Sequence, residues 1–433
     1  MEPATTDLKQ RPYWWDTVAT AAVETPTLPT NVDVAVIGGG ITGLSAARVL
    51  AKRGVTVAVL EAQTIGWGAS SRNGGMVLTG LKLGAAALTA RYGVELARQL
   101  FKASLDAVDA VEEVVKHERI DCQFRHDGHL ALASKPAHYQ RFKESADVLA
   151  REFGHEVRLV AAADLGDEIG SGAYHGGVID PASGSINPAQ YVAGLARAAQ
   201  AAGAVLQEAT RVNEIGRLGS RWQLSTSRGR IEAANVLVAT SGYTGAITPG
   251  LRRRIVPLGS YVIVTEPLPE ALARELSPRN RMMYSSRHFL HYFRLTPDRR
   301  LLFGGRARFV PETPSTVIES AAVLQRGMLE VYPQLRDVRV EYAWGGTLDF
   351  AFDTMPHAGR ADGCYFALGY AGHGVALATL LGAKVGEAIA TGGIDANAFA
   401  RISFPGAPLG LYWGQPWFLP LVAARYKLLD WIG

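Results

Sequence analysis

Three glycines beside the first apolar run of the chain have the spacing of a dinucleotide-binding turn. Gly38, Gly40 and Gly43 form G-x-G-x-x-G between a strand-like segment, 32–38, and a helical one. Such glycines allow a tight turn, close approach of a pyrophosphate and close helix–strand packing. The pyrophosphate binds free N–H groups at the helix N-terminus. Glu61 lies 18 residues after Gly43, at the end of the next strand-like run, where its carboxylate could accept a hydrogen bond from a ribose hydroxyl.

Two later glycine-rich segments could hold a second part of the same ligand. GWGASSRNGGMV, from Gly66 to Val77, follows Glu61 closely, and Gly372-His373-Gly374 opens a helix near the C-terminal end. Small residues let backbone N–H groups reach a diphosphate or a flavin ring, and a helix N-terminus stabilises negative charge. Each segment could instead be a simple turn. The first motif serves NAD as well as FAD, and the later segments favour FAD.

A parallel sheet must position these motifs, and the flanking sequence predicts one. The segment 32–38 is a continuous apolar run, typical of a strand buried on both faces. A helix follows and ends at Gly54, and VTVAVLEA continues as the next strand. Together they form a βαβ unit, whose right-handed crossover makes the two strands parallel.

A different pattern in 256–310 predicts a second sheet. VPLGSYVIVTE, HFLHYFRLT and RRLLFGGRAR are aromatic-rich and alternating, which is typical of antiparallel strands. The sequence therefore predicts an α/β protein, with a doubly wound, Rossmann-type FAD-binding domain and an inserted antiparallel-sheet substrate domain. The predicted division is an N-terminal arm (1–30), FAD-binding segments 31–110, 166–250 and 336–395, substrate segments 111–165 and 251–335, and a C-terminal tail (396–433). Helices are predicted over 85–117, 138–153, 186–203 and 375–392.

Composition argues against several other classes. The 433 residues are 48% hydrophobic and 19% charged with a net charge of +4, which suits a soluble globular protein, and no basic cluster indicates nucleic-acid binding. Cys122 and Cys364 are far apart, so no metal site is predicted, and a reducing, cytoplasmic location is expected. The polar N-terminus is unlike a secretory signal. The aromatic tail from Tyr412 is expected to pack on the protein or at a subunit interface, with membrane-surface contact as the alternative. The oligomeric state stays open.

Several ordered segments resemble one enzyme family. DVAVIGGGITGLSAARVLAKRGVTVAVLEA, GWGASSRNGG, ANVLVATSGY, RLTPDRRLLFGG and ALGYAGHGVALA are similar to the D-amino-acid oxidase superfamily, which includes glycine oxidase and sarcosine oxidase. The resemblance spans about residues 12 to 395 and is greatest to γ-glutamylputrescine oxidase-like members, which share the aromatic N-terminal arm and the GWGAS-RNGG loop. It implies an FAD enzyme that oxidises a carbon–nitrogen bond in a small amine or amino acid, without defining which.

The resemblance also implies which residues bind FAD. Val212 is expected on the adenine side, and the loop 69–75 and the turn 372–374 at the flavin. Sarcosine oxidase-like members attach FAD through a cysteine in the region of Gly346–Asp349. In this chain the region lies in the run GGTLD, which contains no cysteine, so non-covalent FAD is predicted. The full set is Gly38, Gly40, Ile41, Thr42, Gly43, Glu61, Ala69, Ser70, Arg72, Asn73, Gly74, Gly75, Val212, Thr240, Gly242, Gly346, Gly372, Gly374 and Val375.

The family's chemistry, carried over to this chain, is hydride transfer from the substrate α-carbon to flavin N5. The amine must enter neutral, because a protonated nitrogen has no lone pair with which to form the imine, and no side-chain base is obligatory. Oxygen is the expected acceptor. The alternatives are a flavin dehydrogenase or demethylase with another acceptor, an NAD-dependent dehydrogenase, and a non-catalytic FAD-binding subunit of a larger complex. Lys82 is expected to be a solvated lysine, with an aid to oxygen reduction as the alternative.

His373, Arg294 and Tyr261 are the candidate catalytic residues. His373 lies between glycines beside the expected flavin, or is a turn residue. Arg294 could pair with a substrate carboxylate, or form a surface or domain-interface ion pair. Tyr261, His291 and Tyr292 lie on strands that the family places over the flavin. Alternation puts His291 on one face and Tyr292 with Arg294 on the other, so these residues cannot all line one pocket.

Overall fold

The computed structural model of the protein describes residues 8–18, 26–305, 313–393 and 397–432. Within these ranges the strands are β1 Asn31–Ile37, β2 Val57–Leu60, β3 Met76–Val77, β4 His129–Leu132, β5 Arg158–Val160, β6 Gly177–Asp180, β7 Gly184–Ser185, β8 Val205–Gln207, β9 Val212–Leu218, β10 Arg221–Thr226, β11 Gly229–Val238, β12 Ile255–Thr265, β13 Met282–Ser285, β14 His291–Leu295, β15 Leu301–Gly305, β16 Val340–Ala351, β17 His357–Ala361 and β18 Cys364–Leu368.

The α-helices of the described ranges are α1 Ile41–Lys52, α2 Ala69–Arg72, α3 Ala85–Tyr92, α4 Val94–His117, α5 Pro136–Val148, α6 Pro188–Ala201, α7 Pro249–Arg252, α8 Glu270–Leu276, α9 Pro314–Val331, α10 Gly374–Thr391 and α11 Leu419–Ile432. Leu149–Phe153 forms one π-helical turn after α5. Short 3-10 helices lie at Tyr13–Thr17, Ala162–Asp167, Ser241–Tyr243, Pro333–Leu335, Ala398–Ala400 and Pro408–Gly410.

The first sheet is the parallel sheet that the βαβ unit predicts. Strand β1 lies at its centre and pairs in parallel with β2 and β11, and the parallel order extends to β8 on one side and β18 on the other. The antiparallel strand β17 forms one edge, and the β9–β10 hairpin joins β11. Residues of β1 such as Val34, Ala35 and Val36 are fully buried because both faces of the sheet are covered.

Helices α1, α4, α6 and α10 cover one face of this sheet, and α1 and α10 approach each other closely. A Cβ atom added at Gly382 would lie 2.3 Å from the carbonyl oxygen of Thr42, and one at Gly386 would lie 2.9 Å from that of Ala46. Glycine is therefore required at this crossing. Of the described helices, α10 alone has the length and apolar composition of a membrane span, but half of it is buried inside the molecule, as in a core helix.

The second sheet has the order β16-β12-β15-β14-β13-β4-β6-β5. All of its pairs are antiparallel except β13 with β4. One face packs on α8 and α9, where Phe293 and Phe303 stack with their ring centroids 5.4 Å apart. The other face packs on the N-terminal arm around Trp14. The α/β class, with a parallel sheet and a second, largely antiparallel sheet, is confirmed.

The structure differs from the predicted elements in a few places. The helix predicted over 85–117 is divided at Gly93, whose φ of +75° ends α3. Strands β6 and β16 belong to the second sheet, although the predicted division gives 166–250 and 336–395 to the FAD-binding part. The arm, predicted as irregular, contains a 3-10 helix at Tyr13–Thr17. The final residues of RRLLFGGRAR, from Arg306, lie outside the described residues.

Gly382→Ala tests the close crossing of α1 and α10. The added methyl group meets a backbone carbonyl that cannot rotate away, so we expect the free energy of unfolding to fall by about 1–3 kcal/mol, as for other overpacked cores. Chemical denaturation measures the change. Gly166→Ala is the control, because its added Cβ atom has no neighbour within 4 Å. Equal stability of the two variants would show that the helices can separate at no cost.

Candidate cofactor and substrate site

A cavity of about 830 Å³ lies between the two sheets. It begins at the carboxyl ends of the parallel strands, where Ile37, Leu60 and Ala239 line it, and extends to Tyr284 and Tyr292 on the second sheet. Ligands of open α/β sheets bind at this edge of the strands. All three glycine-rich segments and residues of the antiparallel strands therefore face one continuous space.

The first glycine turn is shaped by contacts that exclude a side chain. Gly38 has a φ of +108°, and an added Cβ atom would lie 2.6 Å from the carbonyl oxygen of Ala239. At Gly43 an added Cβ atom would lie 2.1 Å from the carbonyl oxygen of Gly38, so this glycine supports helix packing and does not line the cavity. Gly40, Ile41 and Thr42 do line it.

Glu61 joins the first turn to the second strand. Its Oε2 accepts a hydrogen bond from the backbone N–H of Gly39 at 2.8 Å, and its Oε1 accepts one from that of Gln63 at 2.9 Å. A carboxylate has about four lone-pair sites, so two remain for a ligand hydroxyl. Because Glu61 also lines the cavity, its position fits the predicted contact with a ribose.

The loop 66–75 is held largely by its own side chains. Asn73 donates from Nδ2 to the carbonyl oxygens of Ala69 and Ser70, both at 3.0 Å, and its Oδ1 accepts from the backbone N–H of Gly75 at 2.7 Å. Ser70 Oγ accepts from the backbone N–H of Ile41 at 3.0 Å, which ties the loop to α1. Ala69, Ser70, Asn73 and Gly74 line the cavity, whereas Gly75 is packed against the backbone of Ile186.

The aromatic arm braces this loop, a role that the sequence alone did not indicate. Trp14 is fully buried and donates from Nε1 to the carbonyl oxygen of Asn73 at 2.8 Å. Trp15 donates from Nε1 to Ser71 Oγ at 2.8 Å. Two adjacent tryptophans near the start of the chain were the available signal, because their N–H groups usually find partners when buried.

The turn after β18 forms another wall of the cavity. Asp349 is buried and accepts hydrogen bonds from the backbone N–H groups of Gly369 at 2.7 Å and Tyr370 at 3.2 Å. Burial raises the pKa of Asp349 above its ordinary value. The hydroxyl groups of Tyr370 and Thr42 lie 2.7 Å apart and join this turn to α1. His373 lines the cavity at the start of α10, and burial lowers its pKa to about 4, so it is neutral at pH 7.

At the opposite end, polar groups of the second sheet face the cavity. Ser260, Tyr284 and Tyr292 line it, and the hydroxyl groups of Tyr292 and Ser260 are 3.3 Å apart. The Tyr292 ring lies between two glycines: Cβ atoms added at Gly74 and Gly304 would be 2.9 and 2.2 Å from it. Burial raises the pKa of Tyr292 to about 12, so its hydroxyl stays protonated.

Two of the three candidate catalytic residues lie elsewhere. Tyr261 is on the opposite face of β12, in the core against α9, and its hydroxyl donates to Thr316 Oγ1 at 3.2 Å. The neighbouring Ser260 faces the cavity, because successive side chains alternate along a strand. His291 also faces α9, against Gly327. This placement confirms the predicted separation of His291 from Tyr292.

Arg294 has neither of the two predicted environments. Its buried guanidinium donates from NH1 to the carbonyl oxygens of Gly75 at 3.0 Å and Ile186 at 3.1 Å. It lies outside the cavity lining and forms none of the ion pairs described for this chain. Burial lowers its pKa to about 10, which leaves it charged at pH 7. Its contacts are therefore structural, holding the end of the loop 66–75.

Most of the predicted FAD residues surround the cavity. Gly242 lies outside the lining, as Gly43 and Gly75 do, since an added Cβ atom at Gly242 would meet the carbonyl oxygen of Leu348 at 2.8 Å. The predicted residues that line the cavity are Gly38, Gly40, Ile41, Thr42, Glu61, Ala69, Ser70, Arg72, Asn73, Gly74, Val212, Thr240, Gly346, Gly372, His373, Gly374 and Val375.

Comparison with known proteins identifies the family. The family of FAD dependent oxidoreductases (DAO) matches residues 33–388. The γ-glutamylputrescine oxidoreductase of Escherichia coli strain K12 is 34% identical over 403 residues, which are 93% of each chain. A probable oxidoreductase, OrdL, of Haemophilus influenzae is 34% identical over 365 residues, or 83% of each chain. The chain is therefore an FAD-dependent oxidoreductase of the DAO family.

Solved structures support the same fold. The crystal structure of glycine oxidase from Geobacillus kaustophilus superposes with a TM-score of 0.72 at 22% identity, covering 88% of this chain and all of the other. L-proline dehydrogenase from P. horikoshii superposes with a TM-score of 0.68 at 22% identity, over 91% of this chain and 99% of the other.

The buried histidines predict how stability depends on pH. Burial lowers the pKa of His129, His291 and His373 to about 4. Unfolded histidines bind protons near pH 6.5, so between about pH 6.5 and 4 the unfolded state binds more protons than the folded state. We expect the free energy of unfolding to fall from pH 7 to pH 5 by up to roughly 2 kcal/mol for each histidine. Denaturant titrations at both pH values measure the loss, and histidine NMR resonances titrating near 6.5 at all positions would contradict it.

Glu61→Gln tests the ribose end of the cavity. The amide group has only one acceptor oxygen, so it loses a hydrogen bond with Gly39 or Gln63 as well as its charge. We expect the dissociation constant for FAD to rise about 10- to 100-fold, the range for a lost charged hydrogen bond. Fluorescence titration of the apoprotein with FAD measures it. The control is Glu208→Gln, which weakens a bond to the N–H of Ile65 outside the cavity lining. Equal effects would assign Glu61 to folding alone.

Proposed function

We propose that the protein oxidises a carbon–nitrogen bond of a small amine, forming an imine. The observation that carries the proposal is the single cavity, which has the dinucleotide turn at one end and the hydroxyl groups of Ser260, Tyr284 and Tyr292 at the other. Its relative in Escherichia coli is named γ-glutamylputrescine oxidoreductase, which supports an amine as the substrate class. Small amino acids are the second substrate class of the proposal.

The lining residues fit FAD. In the proposed arrangement the first glycine turn, Glu61 and Val212 hold the adenosine and pyrophosphate parts, and the loop 69–74 with the turn 372–375 holds the flavin. Cβ atoms added at Gly38 or Gly40 would collide with the carbonyl oxygen of Ala239 or with Ser70 Oγ, so both positions keep the turn close to its neighbours. The N-termini of α1 and α10 both border the cavity. When bound, FAD supplies the hydride acceptor, N5 of its ring. The protein's own residues then have to orient the amine and keep its nitrogen unprotonated.

Two titratable groups of the cavity lining are neutral, which suits a neutral amine. His373 and Tyr292 are both uncharged at pH 7, because burial lowers the pKa of the imidazole to about 4 and raises that of the phenol to about 12. A nearby carboxylate would favour the ammonium form, which has no lone pair for imine formation. Arg294, a candidate partner of a substrate carboxylate, is bound to backbone carbonyls instead. This favours an amine over an amino acid.

Non-covalent FAD is part of the proposal. Both cysteines are buried, unpaired and outside the cavity lining, which supports cofactor binding without a thioether. Precipitation with acid should release all the flavin into the supernatant, and colour that stays in the pellet would contradict non-covalent binding. Unpaired cysteines also suit the proposed cytoplasmic location.

Flavin reduction is the direct test of the proposed function. We expect the visible flavin band of the purified protein to bleach under anaerobic conditions when one compound of an amine panel is added. The panel is putrescine, γ-glutamylputrescine, sarcosine, glycine and several D-amino acids. A yellow protein that none of them bleaches would contradict amine oxidation and favour a non-catalytic subunit.

The acceptor is tested on the reduced protein. We propose oxygen, and admission of air should then restore the band with hydrogen peroxide as the product. Lys82, an exposed lysine that lines the cavity, supports this choice because a cation stabilises charge that develops on oxygen. Slow reoxidation by air with fast reoxidation by a quinone or a dye would instead indicate a dehydrogenase.

Tyr292→Phe and Tyr261→Phe form a matched pair of variants. Removal of the Tyr292 hydroxyl takes a fixed polar group from the cavity, so we expect the rate of flavin reduction to fall about tenfold, as for loss of one hydrogen bond. Tyr261→Phe removes the same atom on the other face of the sheet and should leave the rate unchanged. Stopped-flow absorbance measures both rates. Equal loss in the two variants would mean that the sheet, and not the cavity, is affected.

A further inference from the structure

A buried chain of hydrogen bonds leads away from the cavity at Tyr284. The Tyr284 hydroxyl lies 3.2 Å from Nε2 of His129, and Nδ1 of His129 lies 2.8 Å from Ser183 Oγ. Ser183 Oγ is 3.1 Å from Thr79 Oγ1, which donates to Asp180 Oδ2 at 2.6 Å. All members except Tyr284, which lines the cavity, are buried. Neighbouring strands of the second sheet hold the chain together, since His129 of β4 is paired with Asp180 of β6 and adjoins β13.

Asp180, the last member of this chain of hydrogen bonds, is ionised. Burial alone would raise the pKa of Asp180, but hydrogen bonds donated by His155 and Thr79 lower it below the ordinary value. A second oxygen, Oδ1, accepts from the backbone N–H of Ala182 at 3.0 Å. An ionised carboxylate only accepts hydrogen bonds, so the single hydroxyl hydrogen of Thr79 must point to Asp180.

Counting hydrogens then fixes the direction of every other bond. Because the hydrogen of Thr79 Oγ1 points to Asp180, a hydrogen bond between the hydroxyl groups of Thr79 and Ser183 needs the hydrogen of Ser183, whose oxygen also accepts from the backbone N–H of Thr79 at 3.1 Å. Ser183 must accept from Nδ1–H of His129, and Nε2 of the neutral imidazole must accept from Tyr284. The opposite direction would leave the oxygens of Thr79 and Ser183 facing each other at 3.1 Å with no hydrogen between them. Burial lowers the pKa of His129 to about 4, which agrees with a neutral ring.

The hydroxyl hydrogen of Tyr284 is therefore directed to His129, which leaves the oxygen of this cavity-lining residue only able to accept. We propose that Tyr284 is a fixed hydrogen-bond acceptor that selects an N–H group of the ligand over a carboxylate, and that His129, Ser183, Thr79 and Asp180 are positioning residues for it. Burial raises the pKa of Tyr284 well above its ordinary value, so the phenol stays neutral. This inference rests on the proposed function, for which it names the group that binds the substrate nitrogen.

Two ligands that share a tert-butyl group test the preference of the cavity for N–H donors or for a carboxylate. tert-Butylamine carries N–H donors and pivalate carries a carboxylate on the same tert-butyl group. Neither has a hydrogen on the carbon next to the functional group, so neither can be oxidised there. Calorimetric titration of the FAD-loaded protein at pH 8 should show the amine binding at least tenfold more tightly. Lys82 in the lining favours pivalate, whereas Glu61 and Asp349 favour the ammonium form of the amine, so the part due to Tyr284 is the change in preference between the wild type and the variants below. Tighter binding of pivalate would overturn the proposal.

Asp180→Asn should reverse the direction of each hydrogen bond between residue 180 and Tyr284. The new Nδ2 group takes the place of Oδ2 and donates to Thr79, while Oδ1 still accepts from Ala182. Thr79 then donates to Ser183, Ser183 donates to Nδ1 of His129, and Nε2–H of His129 donates to Tyr284. The hydroxyl hydrogen of Tyr284 is then free to donate to a ligand. We expect tert-butylamine to bind about tenfold more weakly and pivalate about tenfold more tightly, as hydrogen-bond energies suggest. A general loss of packing would weaken both ligands, so gained carboxylate binding is the specific signature.

Three further variants complete the test. Tyr284→Phe should weaken the amine about 10- to 100-fold with no gain for pivalate, because the acceptor is lost. Ser183→Ala removes one oxygen and interrupts the chain of hydrogen bonds. It should lower the preference for tert-butylamine over pivalate, and it provides this test if Asp180→Asn is too unstable to measure. Tyr261→Phe is the control, since the Tyr261 hydroxyl lies on the other face of the sheet, and the preference of this variant should stay within about twofold of the wild type. An unchanged preference in Tyr284→Phe and Ser183→Ala would overturn the proposal.

The two proposals fail differently. If the ligand preferences follow the expected pattern but no amine of the panel reduces the flavin, the proposed function fails and the orientation of Tyr284 stands. If amines reduce the flavin but Ser183→Ala and Tyr284→Phe keep the preference of the wild type, only the orientation of Tyr284 is overturned.

Discussion

The shape of the site depends on Arg72, which contacts the N-terminal arm, the loop 66–75 and the second sheet. Its guanidinium lies between the rings of Trp15 and Trp67, 4.9 and 4.4 Å from their centroids. It donates to the carbonyl oxygens of Trp67 at 2.8 Å and Gly345 at 3.1 Å. The carbonyl oxygen of Arg72 in turn accepts from Nε1 of Trp344 at 2.9 Å. A buried cation must find such partners, and here they come from the arm, the glycine-rich loop and the second sheet. One side chain thus fixes three parts of the chain around the cavity.

The shape of the cavity depends on glycines at positions where a side chain would collide with a neighbouring segment. The loop 66–75 approaches the second sheet so closely that the ring of Tyr292 fits only between Gly74 and Gly304. At the other end, helix α1 lies against the first strand because Gly43 brings its backbone to Gly38. These glycines serve two different purposes, close packing and open space, and the spacing of a motif does not distinguish them. This is why Gly43 packs although it belongs to the ligand-binding turn.

Sequence reasoning predicted the local features well and the long-range ones poorly, for physical reasons. The βαβ unit follows from a short apolar run, a helix and a C-capping glycine, all within one contiguous segment. The alternation of β14 correctly separated His291 from Tyr292, because period and face are local properties. The position of Tyr261 required the register of β12 against its neighbours, and a shift of one residue exchanges it with Ser260. The chain from Tyr284 to Asp180 combines three strands and two loops that no local pattern connects.

In the proposed arrangement the site meets two opposing requirements of amine oxidation, which are to bind the substrate nitrogen and to keep it unprotonated. A carboxylate beside the substrate nitrogen would bind it well but would hold it as an ammonium, which cannot form an imine. Asp180 instead acts through His129 and two hydroxyl groups, so its charge lies behind four hydrogen bonds while its direction is transmitted to Tyr284. Coulomb attraction weakens with distance, whereas the direction of a hydrogen-bond chain does not. The cavity therefore gains an oriented acceptor for N–H from a neutral hydroxyl group, while the carboxylate of Asp180 lies outside the cavity lining.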